Sequence, residues 1–177
     1  MSKYADLVLQ SNCVFTAVGE EPFAGFVAVA GSKILCVGHG APDGAILGPN
    51  TKVLDIYETC RRDAQGRVIN RHAITDLPLL IDNIPESVYH AVGGYFPEGG
   101  EPFNKQNMLT VTELLPAWTR GGAYNLSCED SLGTLEPGKK ADIAALSGNL
   151  FTTPVENSRN LKVELTLLNG SVVHNAL

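Results

Sequence analysis

The sequence predicts an α+β fold, mainly β with some α, that is β-rich at both ends of the chain. Three observations predict it. Short apolar segments separated by turn residues fill residues 1–56, the same pattern returns over 133–177, and residues 57–132 between them change to polar and then helical character. Five β segments within about fifty residues, joined by short turns, favour a sandwich or barrel over βαβ units.

In order, Ala5 to Gln10 and Val14 to Ala17 are apolar and partly alternating. Gly25 to Ala30 and Lys33 to Val37 flank Gly31-Ser32, a two-residue link in which glycine supplies the positive φ of a tight hairpin. Lys52 to Ile56 follows a turn expected at Gly48-Pro49-Asn50. In the middle region, Tyr57 to Arg71 is polar and lacks a clear period. Ile84 to Tyr95 carries Pro85 near a helix start, and Val88, Ala91, Val92 and Tyr95 recur at helical spacing. A loop rich in glycine and proline follows. Leu109 to Leu126 opens with Thr110-x-x-Glu113, a capping box in which each residue satisfies a free backbone N–H of the other. Leu114, Ala117, Trp118 and Tyr124 give that second helix an apolar face, and Pro116 predicts a later start or a kink. Ala141 to Leu146, Leu161 to Leu168 and Ser171 to His174 restore strand character. Asn169-Gly170 between the last two is a strong hairpin signal.

A chain of 177 residues with 44% hydrophobic and 18% charged residues is an ordinary globular composition, long enough for one real core plus an appendage. The net charge of −6 argues against a nucleic-acid surface, which needs clustered Lys and Arg. The one basic cluster, Arg61, Arg62, Arg67 and Arg71, is interrupted by Asp63 and reads as a solvated loop. Cys13, Cys36, Cys60 and Cys128 form no C-x-x-C pair, which fits reduced structural thiols. The first residues lack a signal-peptide pattern, and no apolar run approaches the ~20 residues of a bilayer span. The expectation is a cytoplasmic protein with neither membrane nor nucleic acid as partner.

Two blocks carry a resemblance. The first is ADLVLQSNCVFTA with FVAVAGSKILCVGHG and GPNTKVLDI. The second is LTVTELLPAWTRGGAYNL running into GTLEPGKKADIAALSGN and VELTLLNGSVVH. The element formed by Gly133, Leu135, Gly138, Lys139, Ala141 and Asp142 is the most specific signal: glycines for turns, an aspartate able to accept backbone N–H bonds, then an apolar strand. Together these blocks resemble the metal-dependent amidohydrolase superfamily, in its YtcJ-like, type 3 branch. The resemblance implies that 1–56 and 133–177 form a composite β-sandwich beside a (β/α)8 barrel, and that 57–132 is a helical remnant of the end of that barrel.

In such enzymes the strand ending in Asp55-Ile56 leads into an H-x-H pair that begins the barrel and binds divalent metal, commonly zinc. This sequence contains no H-x-H: His39, His72, His90 and His174 are isolated. RHAITDLPL resembles the end of the barrel, which places Thr75-Asp76 at its last strand and implies that about seven strand–helix units of the complete barrel are lacking between Cys60 and His72. Asp76 is the one vestigial catalytic group the resemblance carries over. Alone it cannot hold a catalytic metal, which takes three or more protein ligands and an open position. His72, four residues earlier, makes His72 with Asp76 a weak metal candidate; exposed polar residues in a loop are the preferred reading, and no cofactor is expected. Cys36 and His39 are close in sequence, but Cys36 falls in an apolar strand and reads as core. Gly93-Gly94 and Gly99-Gly100 lack the Lys-Ser/Thr of a phosphate loop.

The expected function is that of a non-catalytic domain or barrel-deleted fragment of a hydrolase of non-peptide C–N bonds. The alternatives are a hydrolase completed in trans by a partner chain, and a small-ligand or oligomerisation module. Trp118, Tyr124 and the helix from Ile84 to Tyr95 form an apolar surface that the barrel would otherwise cover, so a homo-oligomer is expected.

Overall fold

The computed structural model describes residues 4–19, 21–56, 84–103, 105 and 108–177. Among the described residues it is an α+β structure with two sheets. The described chain divides into two compact units, one from Met1–Thr59, Leu115–Ala145 and Val163–Leu177, the other from Cys60–Leu114 and Leu146–Lys162.

In the first unit, β1 (Ala5–Val14), β2 (Phe23–Ala30), β3 (Lys33–His39) and β4 (Leu47–Asp55) make a sheet of order β3-β2-β1-β4. β1 to β3 is an antiparallel meander, and β4 returns to lie parallel to β1. Alternation decides which side chains go where. Leu7, Leu9, Val27 and Val29 share one buried cluster, whereas Val8, Phe26 and Ala28 share another. The second sheet contains β5 (Ile143–Leu146), β6 (Val163–Leu168) and β7 (Ser171–Asn175) in that order. Leu165 and Leu167 of β6 lie in the same cluster as Leu7 and Leu9, so residues from both ends of the chain fill one core.

The two expected hairpins form. Gly31 (φ 57°) turns β2 into β3, and Asn169 and Gly170 (φ 51° and 79°) turn β6 into β7. A Cβ on Gly170 would lie 2.0 Å from Gly31 O, so this turn also needs glycine for room.

Among the described residues the first region holds four strands and not five. Ser11, Asn12 and Cys13 read as a break, but the Ser11 hydroxyl oxygen accepts the Cys13 N–H (3.0 Å) and β1 runs through them as a bulge opposite β2. Residues 15–17 lie beyond the strand. Gly48-Pro49-Asn50 is likewise no free turn. It lies within β4, where pairing moves from Ala5↔Leu47 to Leu7↔Lys52. Thr51 holds that irregularity, its hydroxyl accepting the Gly48 N–H (2.8 Å) and donating to Ala5 O (2.6 Å).

In the second unit, α1 (Ile84–Ala91) stops four residues short of Tyr95. Gly94 (φ 64°) donates its N–H to His90 O, the left-handed glycine stop of many helices. α1 packs on α4 (Val155–Ser158). The Ser158 hydroxyl donates to Pro85 O (3.2 Å), and Arg159 pairs with Glu86 (2.7 Å) while its guanidinium lies 4.6 Å from the centre of the Tyr89 ring. Val88 and Tyr89 are buried, as is Val92 just beyond the helix, which removes α1 from the exposed apolar surface expected of it.

The second expected helix begins on its capping box. Thr110 N–H donates to Glu113 Oε2 (2.8 Å), and Glu113 N–H to Thr110 Oγ1 (3.3 Å). The Thr110 backbone bond, and then its hydroxyl, hold the Glu113 carboxyl below the usual carboxylate range. The run has three parts: α2 (Val111–Pro116), a π turn (Ala117–Gly121) and α3 (Gly122–Asn125). The irregularity follows Pro116, which has no N–H to give to the turn before it. Leu114 and Ala123 are buried, but Ala117, Trp118 and Tyr124 are exposed, so the predicted apolar face is split.

Candidate functional site

The element from Gly133 to Asp142 is explained residue by residue. Gly133 has φ 92°, and a Cβ there would sit 2.7 Å from Ala123 Cβ and 3.1 Å from Arg120 Cα and Thr119 O. The turn therefore lies against the helical run at a distance that admits only glycine. Leu135 N–H donates to Thr16 O (2.9 Å), and Gly138 N–H to Ile34 O (2.9 Å). Ile34 N–H returns a bond to Lys139 O, and Ala141 N–H donates to Ser32 O. The element thus adds itself to the β3 edge and covers it. Ala141 is fully buried, and Asp142 Oδ1 accepts the Asn169 N–H (2.6 Å), tying the element to the β6–β7 turn.

Within it, the Thr134 hydroxyl donates to Glu136, while Lys139 Nζ donates to Thr134 Oγ1 (2.6 Å) and pairs with Glu136 (3.0 Å). The Thr134 hydroxyl first, then the Lys139 bond and charge, hold the Glu136 carboxyl below the usual range. Beside this network a cleft of about 520 Å³ opens, lined in part by Ala17, Val18, Arg120, Gly121 and Tyr124. Glu129, Leu132, Thr134, Glu136 and Lys139 complete it. It is the concave site that the sequence alone did not reveal. Arg120 lies within the Leu109–Leu126 block that carries the resemblance and Glu129 outside both blocks, and no sequence signal marks either as a site residue.

The candidates named from sequence do not converge among the described residues. His72, Asp76 and Cys60 lie outside them. His39 is exposed and stacks on Phe23 with ring centres 4.1 Å apart. His90 Nδ1 is 2.7 Å from Tyr95 O, and His174 Nε2 is 3.1 Å from Val163 O, so each ring is held by the backbone beside it. Cys36 packs against the Val8–Phe26–Ala28 cluster, and burial pushes its thiol up, away from the thiolate a nucleophile needs. Burial raises Cys13 in the same way. Gly93-Gly94 sits at the C-terminal end of α1, where carbonyls and not N–H groups are free, the wrong end for a phosphate. Among the described residues no group of three or more His, Cys, Asp or Glu side chains is placed to hold a metal, and no helix is long and apolar enough to cross a membrane.

Comparison with known proteins agrees with the reading of the Gly133–Asp142 element. The profile of the amidohydrolase family matches residues 80–174. YtcJ of Bacillus subtilis (strain 168), assigned by name to the amidohydrolases, is 30% identical over 77 residues. That alignment takes in 44% of this chain and 15% of the relative, so the match spans a small part of the relative's length. No solved structure matches the chain significantly. The chain belongs to the amidohydrolase family, in its YtcJ-like, type 3 branch.

Proposed function

We propose that this chain is the non-catalytic accessory portion of an amidohydrolase-like, metal-dependent hydrolase of non-peptide C–N bonds. Residues 1–56 with 133–177 are the composite β-sandwich of such an enzyme, and 57–132 are the remnant of the end of its (β/α)8 barrel. The observation that carries this reading is the shared core: Leu7, Leu9, Val27 and Val29 pack with Ala141, Leu165 and Leu167 although more than a hundred positions of sequence separate the two groups. A domain closed by both chain ends leaves a natural place for a large insertion.

The metal of the family would be divalent, typically zinc. The one group carried over to hold it or activate water is Asp76, with His72 as a weak second ligand, too few for a catalytic centre. The residues of this chain do not fit that metal on their own, and no catalytic step is assigned to them. The test is direct. Purified chain supplied with zinc or manganese is expected to hydrolyse no amide or related C–N substrate, and metal analysis is expected to find under about one equivalent bound. Turnover together with stoichiometric metal overturns the proposal. Turnover that appears only on mixing with a second polypeptide carrying H-x-H supports assembly in trans instead.

The oligomeric reading has its own observation. Trp118, Tyr124 and Leu126 are exposed close together in sequence, Tyr124 and Leu126 by 70% and 78%. A face of this kind lacking its barrel favours self-association, so the chain is proposed to be a homo-oligomer through it. Mass photometry of the parent and of Trp118→Ser/Leu126→Ser decides this; a parent that is monomeric throughout refutes it.

A further inference from the structure

Asn-Gly occurs once in this sequence, at Asn169-Gly170 in the turn between β6 and β7. In a mobile chain this pair is chemically labile. Glycine has no Cβ to shield its nitrogen, so that nitrogen can reach the carbonyl carbon of the preceding asparagine side chain. After losing its proton to water or hydroxide, it attacks Cγ. The new N–Cγ bond forms, the Cγ–Nδ2 bond breaks, and Nδ2 takes up a proton and leaves as ammonia. Water then opens the resulting cyclic imide at either carbonyl. The products are aspartate and isoaspartate, in which the main chain runs through Cβ and Cγ and is longer by one carbon. Water is the only co-reactant, and nothing is oxidised or reduced.

The fold bears on that reaction in three ways. Asn169 is exposed, so water reaches its side chain. The nucleophile is nevertheless engaged: Gly170 N–H donates to Ala141 O (3.0 Å), and Asn169 N–H donates to Asp142 Oδ1 (2.6 Å). These bonds pin the turn to the end of the Gly133–Asp142 element, with Asn169 at φ 51° and Gly170 at φ 79°. A nitrogen whose proton is held by a carbonyl neither ionises nor swings toward Cγ until that bond opens. The turn is also pressed on the β2–β3 hairpin, where a Cβ on Gly170 would lie 2.0 Å from Gly31 O and 2.9 Å from Ser32 Cα. A lengthened main chain has no room to regain that place.

We propose that Asn169 is a deamidation site kept latent in the folded chain by Asp142 and Ala141, and that isoaspartate formed there prevents the turn from closing again. The amide is spared while the turn is shut, so its rate of loss follows the population of open turns. The turn follows β6, whose Leu165 and Leu167 help to fill the shared core. Modification thus converts a reversible local opening into a permanent one at the strand that closes the domain. The site does not depend on the reading of this chain as a barrel-deleted hydrolase.

Peptide mapping with electron-transfer fragmentation, which separates isoaspartate from aspartate, tests this on purified chain aged at mildly alkaline pH. The references are a synthetic peptide of residues 164–175 and the chain in urea. Peptide and unfolded chain are expected to lose the Asn169 amide at similar rates, and the folded parent at least about tenfold more slowly. Asp142→Ala, which removes one of the two bonds, is expected to lose the amide about fivefold faster than the parent while still folded by circular dichroism. Native-state hydrogen exchange of the Gly170 amide needs no variant, and its protection is expected to match the slowing of deamidation. Chain carrying isoaspartate is expected to unfold at lower urea than Asn169→Asp, which has the new charge without the longer main chain. A folded parent that deamidates at the peptide's rate overturns the proposal, as does an unprotected Gly170 amide. So does an Asp142→Ala rate equal to the parent's, or isoaspartate chain as stable as Asn169→Asp. Should Asp142→Ala not fold, the exchange and ageing of the parent alone decide.

Discussion

The element from Gly133 to Asp142 and the helical run from Ala117 to Leu126 are near neighbours in sequence, yet they treat their side chains in opposite ways. In the first, nearly every residue of the motif has a structural partner: Leu135, Gly138, Lys139 and Ala141 exchange backbone bonds with Thr16, Ser32 and Ile34, and Asp142 holds the turn at Asn169. In the second, Trp118, Tyr124 and Leu126 face outward, the backbone widens into a π turn, and Arg120 has no ion pair among the described residues. The difference teaches what a specific motif means here. The Gly133–Asp142 pattern is specific because backbone geometry demands it. The irregular run belongs to the longer Leu109–Leu126 block, and its exposed side chains have no comparable set of structural partners among the described residues.

Gly133 is where the two regions touch, and it provides the largest expected effect. Gly133→Ala places a Cβ at φ 92° and within 2.7–3.1 Å of Ala123, Arg120 and Thr119. Left-handed strain and overpacking together are expected to cost about 2–4 kcal/mol in urea unfolding. A cost near zero would show that the element and the run are not pressed together as described. Asp142→Ala comes next. It removes the acceptor of the 2.6 Å bond from Asn169 N–H at an exposed position, and a loss of about 1 kcal/mol is expected, with the fold unchanged by circular dichroism.

Glu136 gives a smaller effect with a definite pH signature. Its carboxyl is held below the usual range by the Thr134 hydroxyl and then by Lys139. A depressed folded-state value means that its contribution is present above the carboxylate value of the unfolded chain and is lost as pH falls through the lower folded value. Glu136→Gln is therefore expected to melt slightly below the parent at neutral pH, with the gap closing toward acid. A gap that widens on acidification would contradict the assigned cause.

These contrasts also explain what could be read in advance. The hairpins at Gly31-Ser32 and Asn169-Gly170 were legible because a two-residue turn requires positive φ, and few residues adopt it cheaply. The capping box at Thr110 and Glu113 was legible because its bonds are local. The continuity of β1 through Ser11–Cys13 was not, because polarity there reads as a turn while pairing with β2 decides otherwise. Nor was the irregularity within β4, where the turn residues Gly48-Pro49-Asn50 yield to pairing with β1. Pro116 signalled a fault in the helix, but the form of that fault depends on what the chain packs against. The cleft was wholly illegible. Arg120, Glu129 and Ala17 meet through tertiary contacts, and no local pattern announces a left-handed alanine or an unpartnered carboxylate oxygen.

The smallest expected effect is the one that tests the contrast from its open side. Leu126 is 78% exposed, so most of its apolar surface stays in water in both the folded and the unfolded chain. Leu126→Ser is accordingly expected to change unfolding free energy by no more than about 0.5 kcal/mol in dilute solution. If the face is covered by a second copy, the same substitution acquires a cost that grows with protein concentration, since association stabilises the folded chain by mass action. Measuring the parent and the variant at two widely separated concentrations therefore distinguishes a bare surface from an occupied one. A large, concentration-independent cost would place Leu126 in the interior and remove the distinction between the two regions.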